Sequence, residues 1–122
     1  MNLMIVEDNE QMRRLIRNFV ERMADQICEC SDGAAAVAAY ALHRPDWVLM
    51  DVEMKGMDRI TATRKIREIF ADARIIIVTQ YDDASTRAAA QEAGACGYVL
   101  KENLLALREL ISQSQTTKET EL

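Results

Sequence analysis

Apolar residues arrive along this chain in two rhythms that alternate five times. Short runs, "LMIVE" (3–7), "QICEC" (26–30), "WVLMD" (47–51), "RIIIVT" (74–79) and "CGYVL" (96–100), predict strands. Most are apolar on both faces, as strands covered from two sides are. Between them, apolar positions recur every three or four residues, the pattern of a helix with one inward face. "NEQMRRLIRNFVERM" (9–23) places Met12, Leu15, Ile16, Phe19, Val20 and Met23 on such a face. Asp8 or Asn9 is placed to cap it, with Gln11 three residues after Asp8 as in a capping box. "AAAVAAYALH" (34–43) is an alanine-rich helix former that follows the turn signal Ser31-Asp32-Gly33 and cannot continue past Pro45.

The second half repeats the scheme. "ITATRKIREIF" (60–70) predicts a helix with Ile66, Ile69 and Phe70 inward. Asp82 and Asp83 are placed to cap "ASTRAAAQEA", and Gly94 suits the position just past its end. "NLLALRELISQS" (103–114) is a last amphipathic helix, with Leu104, Leu107 and Ile111 near one stripe, and the residues after it are polar and read as frayed. Residues 1–115 form the expected domain and 116–122 a polar tail. Buried strands separated by helices require a parallel sheet covered on both faces, and right-handed crossovers make it doubly wound. The fold class is α/β, in three layers.

Composition narrows the function. The chain has 122 residues, enough for one core, and a formal net charge of −5 with 29% charged residues. An acidic balance argues against direct nucleic-acid binding, which needs a basic patch. Apolar runs are far shorter than a membrane span, and Met1 leads straight into a strand-like segment; the expected location is cytoplasmic, with no membrane partner. Cys28, Cys30 and Cys96 lie in strand-like contexts and read as small buried hydrophobes in a reducing compartment. The single histidine, His43, has no ligand partner nearby and suits the end of a helix.

In a doubly wound sheet, ligands bind beyond the carboxyl ends of the strands. The first strand ends in Glu7-Asp8, the third in Asp51, the fourth in Thr79, and the fifth runs into Lys101. Singly, each has an ordinary explanation: helix-start acids, a strand-end hydroxyl, a solvated ammonium. Together they converge on one pocket. Three clustered carboxylates repel one another, and a divalent cation with the Lys101 ammonium brings the local charge close to zero. Hard oxygen donors with few protein contacts suit Mg²⁺. Asp51 can then stay ionised and act as a nucleophile, and a phosphoryl group is the electrophile that matches a cation, a lysine and a hydroxyl.

These stretches, "MIVEDN", "PDWVLMDVEM" followed by "GMD", "IIIVTQYDD" and "AGACGYVLKE", resemble the receiver domain of two-component response regulators over about residues 1–115, with the family's spacing between them. The forms "TQYDD" and "GYVLKE" look closest to the branch that usually carries a helix-turn-helix output domain. The resemblance implies a flavodoxin-like five-stranded sheet in the order 2-1-3-4-5. It implies Asp51 as phosphoacceptor and Mg²⁺ held by Asp8, Asp51 and the main-chain carbonyl of Glu53, with Glu7 acting through water or by orienting ligands. Thr79 and Lys101 would bind the phosphoryl oxygens, and Thr79 with Tyr98 would form the switch. The phosphoryl donor would be a sensor histidine kinase or phosphotransfer protein. The responding face would be the fourth helix, fifth strand and fifth helix, binding a partner, a second copy or an output domain. The chain would be no enzyme beyond its own phosphotransfer and slow self-dephosphorylation, and it reads as either a stand-alone receiver or part of a longer regulator.

Four positions depart from the family pattern. Lys55 stands at a usual Pro, Arg59 at a usual Gly, Gln80 at a usual small residue, and Glu102 at a frequent Pro. If position 59 needs a positive φ, Arg costs about 1 kcal/mol or more there. A non-proline residue at 102 disfavours a cis bond. Lys55 and Gln80 are expected at the pocket rim, where with Glu53 they would hinder attack by water on a phosphorylated Asp51. Three alternatives stand beside the switch. An aspartyl-phosphate phosphatase would use Asp51 and Glu53, a flavin carrier would share the topology, and a degenerate receiver would act only as a docking module. The flavin carrier lacks a Gly- and Ser-rich phosphate loop, because "EDNEQM" occupies that place.

Overall fold

The computed structural model describes the backbone of residues 1–52 and 57–121 and the side chains of 1–52 and 59–113. Five strands, β1 (Asn2–Val6), β2 (Gln26–Cys30), β3 (Trp47–Asp51), β4 (Ile75–Thr79) and β5 (Gly97–Leu100), alternate with helices α1 (Glu10–Val20), α2 (Gly33–His43), α3 (Met57–Ile69), α4 (Ala84–Glu92) and α5 (Leu105–Glu121). The sheet is parallel throughout, in the order β2-β1-β3-β4-β5. The class agrees with the sequence reading, and the order with what the family resemblance implies.

Successive strand residues point to opposite faces, so each strand feeds two cores. Met4, Val6, Val48, Met50, Ile75 and Ile77 pack with residues of α2, α3 and α4 on one side. Leu3, Ile5, Trp47, Leu49, Ile76 and Val78 pack with Ile16 and Val20 of α1 and Leu107 and Ile111 of α5 on the other. The three central strands are buried nearly end to end, which accounts for their unbroken apolar runs.

Local chemistry fixes the helix ends. Asn9 caps α1 by accepting from the Met12 amide, Asp32 caps α2 through the Ala35 amide, and Asp83 caps α4 through the Thr86 amide. Of the alternatives left open, Asn9 and Asp83 therefore serve as the caps. Gly94 adopts φ 99° just beyond α4, and a Cβ there would meet the Arg67 side chain at 2.9 Å. Arg44, the residue before Pro45, takes φ 45° as its amide closes α2 on the Tyr40 carbonyl at 2.8 Å. His43 is the last residue of α2, as expected.

Several expectations need correction. Leu15 is 41% and Ile69 65% exposed, so neither faces the core. The inward stripe of α3 runs through Arg59, Thr63 and Ile66, with Phe70 packed against the core just beyond the helix. Ile69 lies off that stripe. Cys30 is buried and Cys28 partly so, but Cys96 is exposed and precedes β5 instead of lying in it; all three are free thiols. The run after β5 is a 3₁₀ turn, Lys101–Asn103, before α5, which continues to Glu121. No glycine or proline follows Leu105 to stop it. Leu104, Leu107 and Ile111 are core residues. Arg59 lies inside α3, and Arg44 is the only non-glycine with positive φ among the described residues, so position 59 carries no backbone strain. No cis peptide bond occurs among them either, Glu102 included.

Candidate functional site

Strand register brings the chemistry together. Val6 pairs with both Cys30 and Met50, and Asp51 pairs with Val78, so Glu7 comes abreast of Asp51. Thr79 pairs with Leu100, so Lys101 starts the next step of the same crest. Glu7 is locked in place by its amide, which donates to the Cys30 carbonyl at 3.0 Å, and by Arg13, which donates to its carbonyl at 2.9 Å. By the period of two, Glu7 and Asp51 continue the files of Leu3/Ile5 and Trp47/Leu49, on the face covered by α1 and α5. A cleft on that side is lined by Asn9, Met12, Leu15, Asp51, Gln80 and Lys101.

The acids are buried to very different extents. Glu7 is fully buried, Asp51 is 1% exposed, and the Asp8 side chain is 45% exposed. One carboxylate oxygen from each lies within 4.8 Å of the others. The Lys101 ammonium bridges Glu7 Oε1 at 2.8 Å and Asp51 Oδ1 at 2.9 Å. The Lys101 ammonium is what satisfies these two buried oxygens. Such a set suits a hard cation: oxygen donors, incomplete hydrogen bonding, and one solvent-facing ligand through which water can complete the shell. The acidic pocket is thus compatible with a metal ion.

Charge crowding shows in the protonation equilibria. Burial pushes the Glu7 carboxyl up to about 7; the Lys101 hydrogen bond pulls it down, and the Asp51 and Asp8 neighbours push it up again. Burial works against the Lys101 ammonium, but its bonds to Glu7 and Asp51 outweigh that and hold its pKa above the ordinary lysine value. Glu7 is therefore the member of this pair that gains a proton near neutrality, while Lys101 stays charged.

Thr79 is fully buried, and its hydroxyl donates to the Val52 carbonyl at 2.7 Å and accepts from the Tyr81 amide at 3.2 Å. The Tyr98 hydroxyl donates to the Tyr81 carbonyl at 2.6 Å, with the Arg87 guanidinium 4.4 Å from its ring centroid. Tyr81 thus links the two residues singled out as the switch. Gln80 lies at the cleft, as expected for a rim residue. Glu53 and Lys55 lie outside the described residues, so the carbonyl ligand and the second rim residue are not placed.

One site residue was not foreseen in its role. Arg59, considered only for its backbone, extends from α3 to the other oxygen of Asp51, with Nη1 to Oδ2 at 2.7 Å. Its Nη2 lies 3.7 Å from Asp8 Oδ2 and 3.4 Å from the Ser31 carbonyl. The sequence did hold a signal, since Arg59 stands four residues before buried Thr63 and seven before buried Ile66. An arginine on a buried stripe needs an anion to meet.

The structure is thus a doubly wound domain with a buried strand-end aspartate set among acids and a lysine. Residues 3–113 match the model of the response regulator receiver domain, and the chain belongs to that family, the phosphorylation-dependent signalling domain of two-component systems. It is 37% identical over 99 residues to the chemotaxis protein CheY of Halobacterium salinarum, covering 81% of this chain and 82% of that one. It is 37% identical over 101 residues to the transcriptional regulatory protein LiaR of Bacillus subtilis, covering 81% of this chain but only 48% of that protein. A two-component response regulator of the LuxR family from Aurantimonas sp. SI85-9A1 superposes with a TM-score of 0.84 at 33% identity, covering 95% of this chain and 85% of that one. The phosphatase and flavin-carrier alternatives gain no support. Among the described residues no helix is long and apolar enough to cross a membrane.

The raised Glu7 pKa has a testable sign. Between about 4.5, its unperturbed value, and about 7, folded Glu7 holds a proton that the unfolded chain releases. Raising the pH through that window therefore withdraws stability. In chelator-containing buffer, the stability of the wild type relative to Glu7→Gln should fall from about pH 5 to about pH 8 and level off above. Denaturant midpoints across pH read this, and a difference that stays flat or rises contradicts it.

Proposed function

We propose that this chain is a phosphorylation-driven switch in which Asp51 accepts a phosphoryl group. The observation that carries the proposal is the placement of Asp51, buried at the end of β3 with Lys101 on one oxygen and Glu7 and Asp8 alongside. A phosphohistidine on a sensor kinase or phosphotransfer protein is the natural donor. An oxygen of Asp51 attacks phosphorus in line, the P–N bond breaks, and the imidazole leaves with the electron pair.

Asp8 and Asp51 would hold Mg²⁺, with Glu7 behind them and the carbonyl of Glu53 as a further ligand. When bound, the ion neutralises charge developing on the transferring oxygens. Lys101 stays protonated beside Asp51 and pairs with those oxygens; in the resting site it already holds Asp51 in place. Thr79 turns its hydroxyl from the Val52 carbonyl to a phosphoryl oxygen. Doing so gives up its bonds at Val52 and at the Tyr81 amide, freeing the loop to which Tyr98 is tied. Tyr98 rotates inward, and the population shifts to a second arrangement of α4, β5 and α5. That face then engages a partner, a second copy of the chain or an output domain, as in regulators whose receiver is about half the protein. The chain is a phosphoryl acceptor and not a turnover enzyme, and its place is the cytoplasm.

Intact mass after incubation with a small phosphodonor and Mg²⁺ tests the acceptor: the wild type should gain one phosphoryl group and Asp51→Asn none. A variant that still gains the mass would refute Asp51. Gln80 at the cleft should slow the return reaction by restricting water. Gln80→Ala should shorten the phosphorylated lifetime, by about threefold or more for a shielding contribution near 0.7 kcal/mol; an unchanged decay rate rules that role out.

A further inference from the structure

The arginine at position 59 has a role that the receiver reading does not supply. Its side chain is 10% exposed, and its guanidinium is anchored at the Ser31 carbonyl and placed between the Oδ2 atoms of Asp51 and Asp8. Those two carboxylates are the ones a cation must draw together. We infer that Arg59 is a built-in counter-ion that competes with the divalent cation for Asp8 and Asp51, so that metal binding must first displace its guanidinium. The inference rests on the metal reading above and adds a regulator of that same site.

Charge balance supports the competition. With all three acids ionised, Lys101 and Arg59 together leave the pocket with one net negative charge. A divalent cation added to that set overshoots neutrality; without the guanidinium it would meet two net negative charges and cancel them. Arginine is suited to the task because its planar fork can serve two carboxylates at once and stays charged at any relevant pH. Its placement on α3 couples the exchange to structure. A side chain that leaves Asp51 must also loosen from Ser31, at the start of the β2–α2 connection.

Phosphorylation changes the sum in the opposite direction. An acyl phosphate dianion in place of the Asp51 carboxylate adds one negative charge, and the lysine, the divalent cation and the guanidinium then balance the acids. Arg59 therefore opposes cation entry at rest and becomes a compatible third cationic group once the phosphoryl group is present.

Isothermal titration of the apo protein with Mg²⁺ decides the matter, because it reads affinity and not phosphotransfer. Arg59→Gln should bind Mg²⁺ about tenfold or more tightly than the wild type. Arg59→Lys, which keeps the charge but not the fork, should fall between them and decides the question if the glutamine variant shows no cooperative melt. Equal or weaker binding by the variants overturns the role of Arg59 while leaving the metal site standing. Absence of binding to the wild type and variants alike overturns the metal reading and the competition together.

Discussion

An ionised carboxylate that is 1% exposed at the end of a hydrophobic strand must be matched by charge, and the matching of Asp51 organises this protein. Lys101 takes one oxygen at 2.9 Å and Arg59 the other at 2.7 Å. Burying such a group without partners would cost several kcal/mol. The cations come from different parts of the fold, Lys101 from beyond β5 and Arg59 from α3, so the site ties the edge of the sheet to one of its covering layers. Glu7 meets the same constraint differently, sharing Lys101 and carrying a pKa raised to about 7.

The sheet makes this concentration of charge possible. Parallel pairing aligns the carboxyl ends of β1, β3, β4 and β5 at one crest, and an apolar layer packs on each face of the sheet beneath it. The hydrogen bonds from Thr79 to Val52 and from Tyr98 to Tyr81 run along the same edge. A change of charge at Asp51 is thereby a few bonds away from the surface formed by α4 and β5.

Much of this was legible in the sequence because buried parallel strands announce themselves as apolar runs. The apolar runs 26–30 and 47–51 coincide with β2 and β3 residue for residue, and the acids stand where the runs stop. Helix faces were less legible. Leu15 and Ile69 are apolar yet exposed, since a 3.6-residue period tolerates an extra hydrophobe at the margin of a stripe. Arg59 was missed for the complementary reason: an arginine is read as surface, and its use inside depends on anions contributed by residues far away in the chain. The departure from glycine at that position matters for the side chain, which meets Asp51, and not for the backbone, which is helical.

A crystal structure of the protein with Mg²⁺ and beryllofluoride tests the central claim most directly. The account predicts a fluoroberyllate on Asp51, Mg²⁺ contacting Asp8 and Asp51, and Lys101 against the fluorines. It also predicts that the Arg59 guanidinium will have left its place between the two carboxylates. An Asp51 carboxylate still paired with Arg59, with metal and fluoroberyllate elsewhere or absent, would contradict it.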